Sequence, residues 1–182
     1  GIDVTNGSLA LQLNAAGLSL AGTAALNGVA ANVTWEENFA PGERQPARVT
    51  VSGLFDDENR TALGFPTGSV ITGPVGVEVR LLSQDRRILE ATLDIDLAPA
   101  RLDLGPLLWE KPPDIEGRLT FRVVPGASDN LLAHDIDLRA IDLVAMGEVE
   151  INADRSLRRL DVSRLQFGGN DLAASVRPQA PD

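Results

Sequence analysis

The chain has no cysteine and no tyrosine, one histidine and two tryptophans, and aromatics make up only 4% of its 182 residues. Without cysteine, disulfide frameworks and thiol nucleophiles are impossible, and a single histidine leaves no Cys₄, Cys₂His₂ or His₃ zinc site to build. Scarce rings argue against a sugar site, which relies on stacking from Trp and Tyr. Basic charge is short as well, with 16 Lys+Arg against 26 Asp+Glu and a formal charge of −10. So acidic a surface repels phosphate backbones and anionic headgroups, and carries no electrostatic footprint for nucleic acid or for docking on an anionic membrane. Long apolar runs are missing too. No segment approaches the ~18–20 apolar residues of a membrane span, and no basic stretch followed by an apolar one opens the chain.

What is present is aliphatic. Hydrophobic residues make up 43% of the chain, nearly all Leu, Val, Ile and Ala, and the 17 glycines and 11 prolines are spread as punctuation between short runs. One domain is the expectation at this length. The chain opens Gly1-Ile2-Asp3 without Met and runs straight into a patterned segment, so residues 1–182 read as one segment excerpted from a longer protein.

Period 2 prevails over period 3.6 in nearly every run. Leu89, Ala91, Leu93, Ile95 and Leu97 alternate with Glu90, Thr92, Asp94 and Asp96, which predicts a strand with one apolar and one acidic face. The alternation returns in Val75-Val77-Val79-Leu81, in Ile115-Gly117-Leu119-Phe121-Val123, in Leu132-His134-Ile136-Leu138 and in Val149-Ile151, and less regularly elsewhere. Ten or more strands emerge, joined by short turns such as Asn27-Gly28 and Gly168-Gly169-Asn170, so they should form antiparallel meanders. The one helical candidate is Asp57 to Leu63, capped by Asp57 and stopped by Gly64 and Pro66. One short helix cannot cover ten strands. The apolar face must fold over as a sandwich, close as a barrel, or stay open as a strongly curved gutter completed by a ligand.

Motifs that could carry chemistry are few. His134 falls in the apolar phase of its strand, with no Gly-x-Ser-x-Gly nucleophile to partner it, and reads as a polar residue at a strand end or in a wet cavity. A hydrolase would rest only on this histidine and the abundance of carboxylates. Asp94-Ile95-Asp96 and Asp135-Ile136-Asp137 lack the loop that calcium needs and read as solvated outer faces. Trp35 and Trp109 read as core plugs or edge covers, while Arg86-Arg87 and Arg158-Arg159 guard turns and edges. No catalytic residue, metal or cofactor is assigned.

Several segments together carry a resemblance. They are Gly17-Leu18-Ser19-Leu20-Ala21-Gly22, Val33-Thr34-Trp35-Glu36-Glu37-Asn38-Phe39, Gly64-Phe65, Asp94-Ile95-Asp96-Leu97-Ala98-Pro99-Ala100 and Trp109-Glu110-Lys111-Pro112-Pro113. Gly147-Glu148-Val149-Glu150-Ile151, Ser156-Leu157-Arg158-Arg159-Leu160 and Gly168-Gly169-Asn170-Asp171-Leu172 follow. In that order and spacing the chain resembles the AsmA-like superfamily, specifically the central region of the large bacterial YhdP-type envelope proteins. The resemblance implies an inner-membrane-anchored parent that extends through the periplasm as a long curved β-groove, related to bridge-like lipid transfer proteins and associated with moving phospholipids toward the outer membrane. Its partners would be phospholipid acyl chains and the adjacent β segments of the same parent.

The residues themselves point the same way, since acyl chains need an apolar surface with no competing polar partner. The candidate lining is the set of long aliphatics in phase on the central strands: Val77, Val79, Leu93, Ile95, Leu119, Phe121, Ile136, Leu138, Val149 and Ile151. The alternative is a structural or protein-binding β-sandwich whose apolar faces bury each other and whose acidic face meets a protein partner.

Overall fold

The structure, a computed structural model, describes residues 3–39, 46–85 and 87–177, with the backbone alone at residue 128. Gly1, Ile2 and Arg86, which entered the sequence reading, lie outside the described residues. The fold is all-β, a strongly curved antiparallel meander that remains open. Among the described residues fourteen strands form: β1 (Val4–Asn14), β2 (Gly17–Leu26), β3 (Val29–Asn38), β4 (Ala47–Phe55), β5 (Ile71–Thr72), β6 (Val75–Gln84) and β7 (Arg87–Asp96) come first. Then follow β8 (Arg101–Leu104), β9 (Trp109–Lys111), β10 (Gly117–Pro125), β11 (Leu131–Ala140), β12 (Leu143–Ile151), β13 (Leu157–Phe167) and β14 (Asn170–Val176). Eleven of them make one sheet in the order β1-β2-β3-β4-β6-β7-β10-β11-β12-β13-β14, and β5-β8-β9 make a small second sheet. In the large sheet β1 and β14 are edges, paired on one side only.

Register places the aliphatics on one face across all eleven strands. Leu11 lies opposite Leu20, Leu20 opposite Trp35, Trp35 opposite Val49 and Val49 opposite Leu81. Further along, Val79 faces Leu93, Leu93 faces Phe121 and Val149 faces Leu160. Among the described residues no second sheet of comparable size covers this face. The opposite face carries a lattice of ion pairs, including Arg118–Asp94, Arg122–Asp135, Arg139–Asp137 and Arg159–Glu148.

Bulges interrupt strict alternation where the sheet bends. Thr120 faces Asp137 but Arg122 faces His134, so two residues of β11 oppose Phe121 alone, with Asp135 in the left-handed region at φ 53°. Met146 faces Arg164 but Gly147 faces Val162, which makes Ser163 the extra residue of β13. Gly147 lies between these two irregularities. An added Cβ there would collide with the Asp161 carbonyl oxygen, so only glycine lets β12 and β13 approach this closely.

The two clusters of fully buried side chains both lie along one rim of the large sheet. There β4 ends, β6 begins, β7 ends, β10 begins and β11 turns into β12. One cluster sets Phe55 against Val29 and Ala31, with Leu63 packed beside them. Helix α1 (Asp57–Ala62) supports it. Its N-cap is Asp56, whose carboxylate accepts from the Asn59 N–H at 2.8 Å, and not the expected Asp57. Asp57 instead pairs with Arg60 inside the helix. In the other cluster the strap formed by residues 97–116, which includes β8 and β9, folds back so that Leu97, Ala100, Leu102 and Trp109 meet Val75, Ala140 and Leu143. The opposite rim has no such roof among the described residues.

Candidate functional site: an apolar face roofed along one rim

All ten candidate lining residues share the apolar face, and every one of them is half-buried. They divide by cover. Val77, Ile95, Leu119 and Leu138 pack against the strap's cluster, so they form the floor beneath the roof. Val79, Leu93, Phe121, Ile136, Val149 and Ile151 lie nearer the uncovered rim and pack against neither buried cluster. Trp35 belongs with this open set. At 41% exposed on the apolar face it plugs no core, whereas Trp109, at 8% exposed, does.

Three polar residues fix the roof, and the sequence reading missed the role of each. Lys111 is wholly enclosed at 0% exposure. Its ammonium donates to the carbonyl oxygens of Ala98 at 3.2 Å, Ala100 at 2.8 Å and Pro112 at 2.9 Å, which ties the strap to itself. Burial pushes the Lys111 pKa down, against the attraction of Asp114 and Asp96. Arg60 does the same for the connection after α1, donating to Phe55 O at 2.8 Å, Gly73 O at 2.7 Å and Ile71 O at 3.0 Å. Asp142, in the β11–β12 turn, anchors the strap to the large sheet by accepting from Trp109 Nε1 at 2.8 Å and from the Gly168 N–H at 3.2 Å. The Trp109 bond and, after it, the backbone N–H hold its carboxyl below the usual aspartate range. Isolated Arg, Lys and Asp residues carry no pattern from which these roles could be read. The nearest signal was Lys111 beside Pro112-Pro113, where a carbonyl lacks its usual ladder partner.

His134 differs from its expected placement. The bulge at Asp135 turns Leu132 and His134 to the outer face, while Ile136 and Leu138 stay on the apolar one. There His134 Nδ1 lies 3.2 Å from Asp135 Oδ2, in an open outer depression that also holds Asp137, Met146, Glu148 and Ser163. Asp135, Asp137 and Glu148 are all spent on arginines, and Ser163 Oγ donates to Met146 O at 3.2 Å. Among the described residues of this depression no nucleophile is paired with His134. Arg159 bridges Glu148 and Asp161 across β12 and β13, a structural pairing beyond the turn guard expected of it. Asp94 likewise faces outward, its carboxyl held low by the Arg118 guanidinium.

No family model, curated protein or solved structure matches the chain.

Proposed function

We propose that this chain is a segment of a lipid-transfer groove that shields phospholipid acyl chains between the inner and outer membranes of a bacterial envelope. The reading assigns no reaction to the chain. The parent would be an inner-membrane-anchored periplasmic protein of the AsmA-like, YhdP-type kind, and neighbouring β segments of that parent would continue the sheet. The observation that carries the proposal is an aliphatic face running across eleven antiparallel strands and, among the described residues, roofed along one rim only. A soluble domain rarely leaves so large an apolar surface without a partner. Each methylene removed from water contributes about 0.8 kcal/mol, so a dozen hold a tail by roughly 10 kcal/mol before association costs. A sliding ligand also benefits from a floor without strong polar contacts, because one would trap it.

Native mass spectrometry of the protein purified from bacteria tests this. Phospholipid should copurify, and Leu93→Asp, a change on the uncovered floor, should reduce the amount while circular dichroism remains that of the parent. Protein free of lipid, or a folded Leu93→Asp variant that retains its full load, would overturn the proposal.

A further inference from the structure

The two rims differ in charge as well as in cover. The connections at the roofed rim, residues 56–74, 97–116 and 141–142, contain eight carboxylates and three bases. Two of those bases, Arg60 and Lys111, are buried and consumed by backbone carbonyls. The third, Arg101, pairs with Glu110 at 2.6 Å. This rim therefore shows solvent almost pure negative charge. At the uncovered rim the described turns and the strand ends beside them are balanced, with Glu37, Asp85, Asp129, Glu150 and Asp154 against Arg48, Arg87, Arg155, Arg158 and Arg177, of which Arg158 pairs with Glu150. Much of the acidity that argues against anionic ligands is thus confined to one side of the groove.

From this asymmetry, and resting on the groove reading above, we infer that a bound phospholipid lies along the strands with its phosphate headgroup at the uncovered rim and its tails pointing toward the strap. Length supports the same polarity. On β6 the strap covers Val75 and Val77, which leaves residues 79–84 open. At ~3.3 Å per residue that is roughly 20 Å, enough for the ~15 Å of hydrocarbon in one leaflet. A headgroup at the strap would meet the carboxylates at close range with no free base to offset them.

The two tryptophans report on the two rims. Trp35 stands three residues from the end of β3 at the uncovered rim, and Trp109 is on the strap's inner side against the large sheet. The probes are phosphatidylglycerol, whose headgroup is a net anion, carrying a nitroxide on the headgroup and the same lipid with the nitroxide deep in a tail. The wild-type chain reports both indoles, and Trp35→Phe leaves Trp109 alone. The headgroup nitroxide should quench the Trp35 share of the emission by the larger fraction, and the tail nitroxide should act more on Trp109. Equal quenching of both indoles, or stronger quenching of Trp109 by the headgroup label, overturns the orientation while leaving lipid binding intact. If neither label quenches either indole, no lipid occupies the face, and the groove reading falls with it.

Discussion

Asp142 shows how one side chain couples strap and sheet. Its carboxylate accepts from Trp109 Nε1 and from the Gly168 N–H, and those bonds favour the charged form. A carboxyl whose folded pKa is depressed contributes stability above its unfolded pKa, about 3.9 for Asp, and loses that contribution as pH falls through the folded value. Asp142→Asn keeps an acceptor for the indole but removes the titration. The wild type should therefore melt above Asp142→Asn at pH 6, and the gap in Tm should close as the pH drops toward 3. A gap that stays constant with pH would show that the charge contributes nothing. Asp94, Asp135 and Asp154 are also held low, so comparison with the variant, and not the wild-type curve alone, isolates this residue. The role of Asp142 was hidden in the sequence because its partners lie 33 and 26 residues away, and no local spacing reports such a contact.

At the scale of elements, alternation reported the strands faithfully wherever the ladder is regular. Val75 to Leu81 and Ala91 to Ile95 fall on the apolar face as their period requires. It failed at bulges, because an extra residue reverses the phase and leaves no mark in a hydrophobicity pattern. A period-2 reading groups Leu132 and His134 with Ile136, whereas the sheet groups Ala133 with Ile136 and Leu138. The strap was equally opaque. Its strands have three or four residues, too few to show a period, and its hold comes from Lys111 and Trp109. The bend at Gly147 makes a prediction of its own. An added Cβ would lie inside the Asp161 carbonyl and 3.2 Å from Val162 Cα, both rigid backbone. Gly147→Ala should cost about 1–3 kcal/mol in chemical denaturation, the usual range for forced overpacking. Gly105→Ala, where the nearest atom beyond its chain neighbours is 3.7 Å away, should remain within about 0.5 kcal/mol. Equal costs at the two positions would remove the close approach of β12 and β13 as the reason for glycine there.

For the molecule as a whole, an open sheet must manage its edges, and the two edges here are managed differently. Natural edge strands are guarded by charge, proline or shortness. β14 is short, carries Asp171 and is followed by Arg177. β1 spans eleven residues with neither a charge nor a proline, and Asp3 is the only charged residue ahead of Glu36. Every residue of β1 is exposed, with Leu9, Leu11 and Leu13 at 42%, 57% and 64%. Such an edge suits pairing with a further strand, as the proposed continuation of the groove by neighbouring segments would require. It is also close to self-complementary. Antiparallel pairing of two copies about an axis through Leu11 sets Leu9 against Leu13 and keeps one apolar face continuous across both. The 182-residue chain on its own should therefore associate as its concentration rises, with a mass by light scattering that climbs from monomer toward dimer. Leu11→Lys places two ammonium groups opposite each other on that axis and should hold the protein monomeric, because like charges directly across a ladder repel. A wild type that stays monomeric at every concentration, or a lysine variant that associates equally well, would mean that β1 is not an edge open to strand pairing.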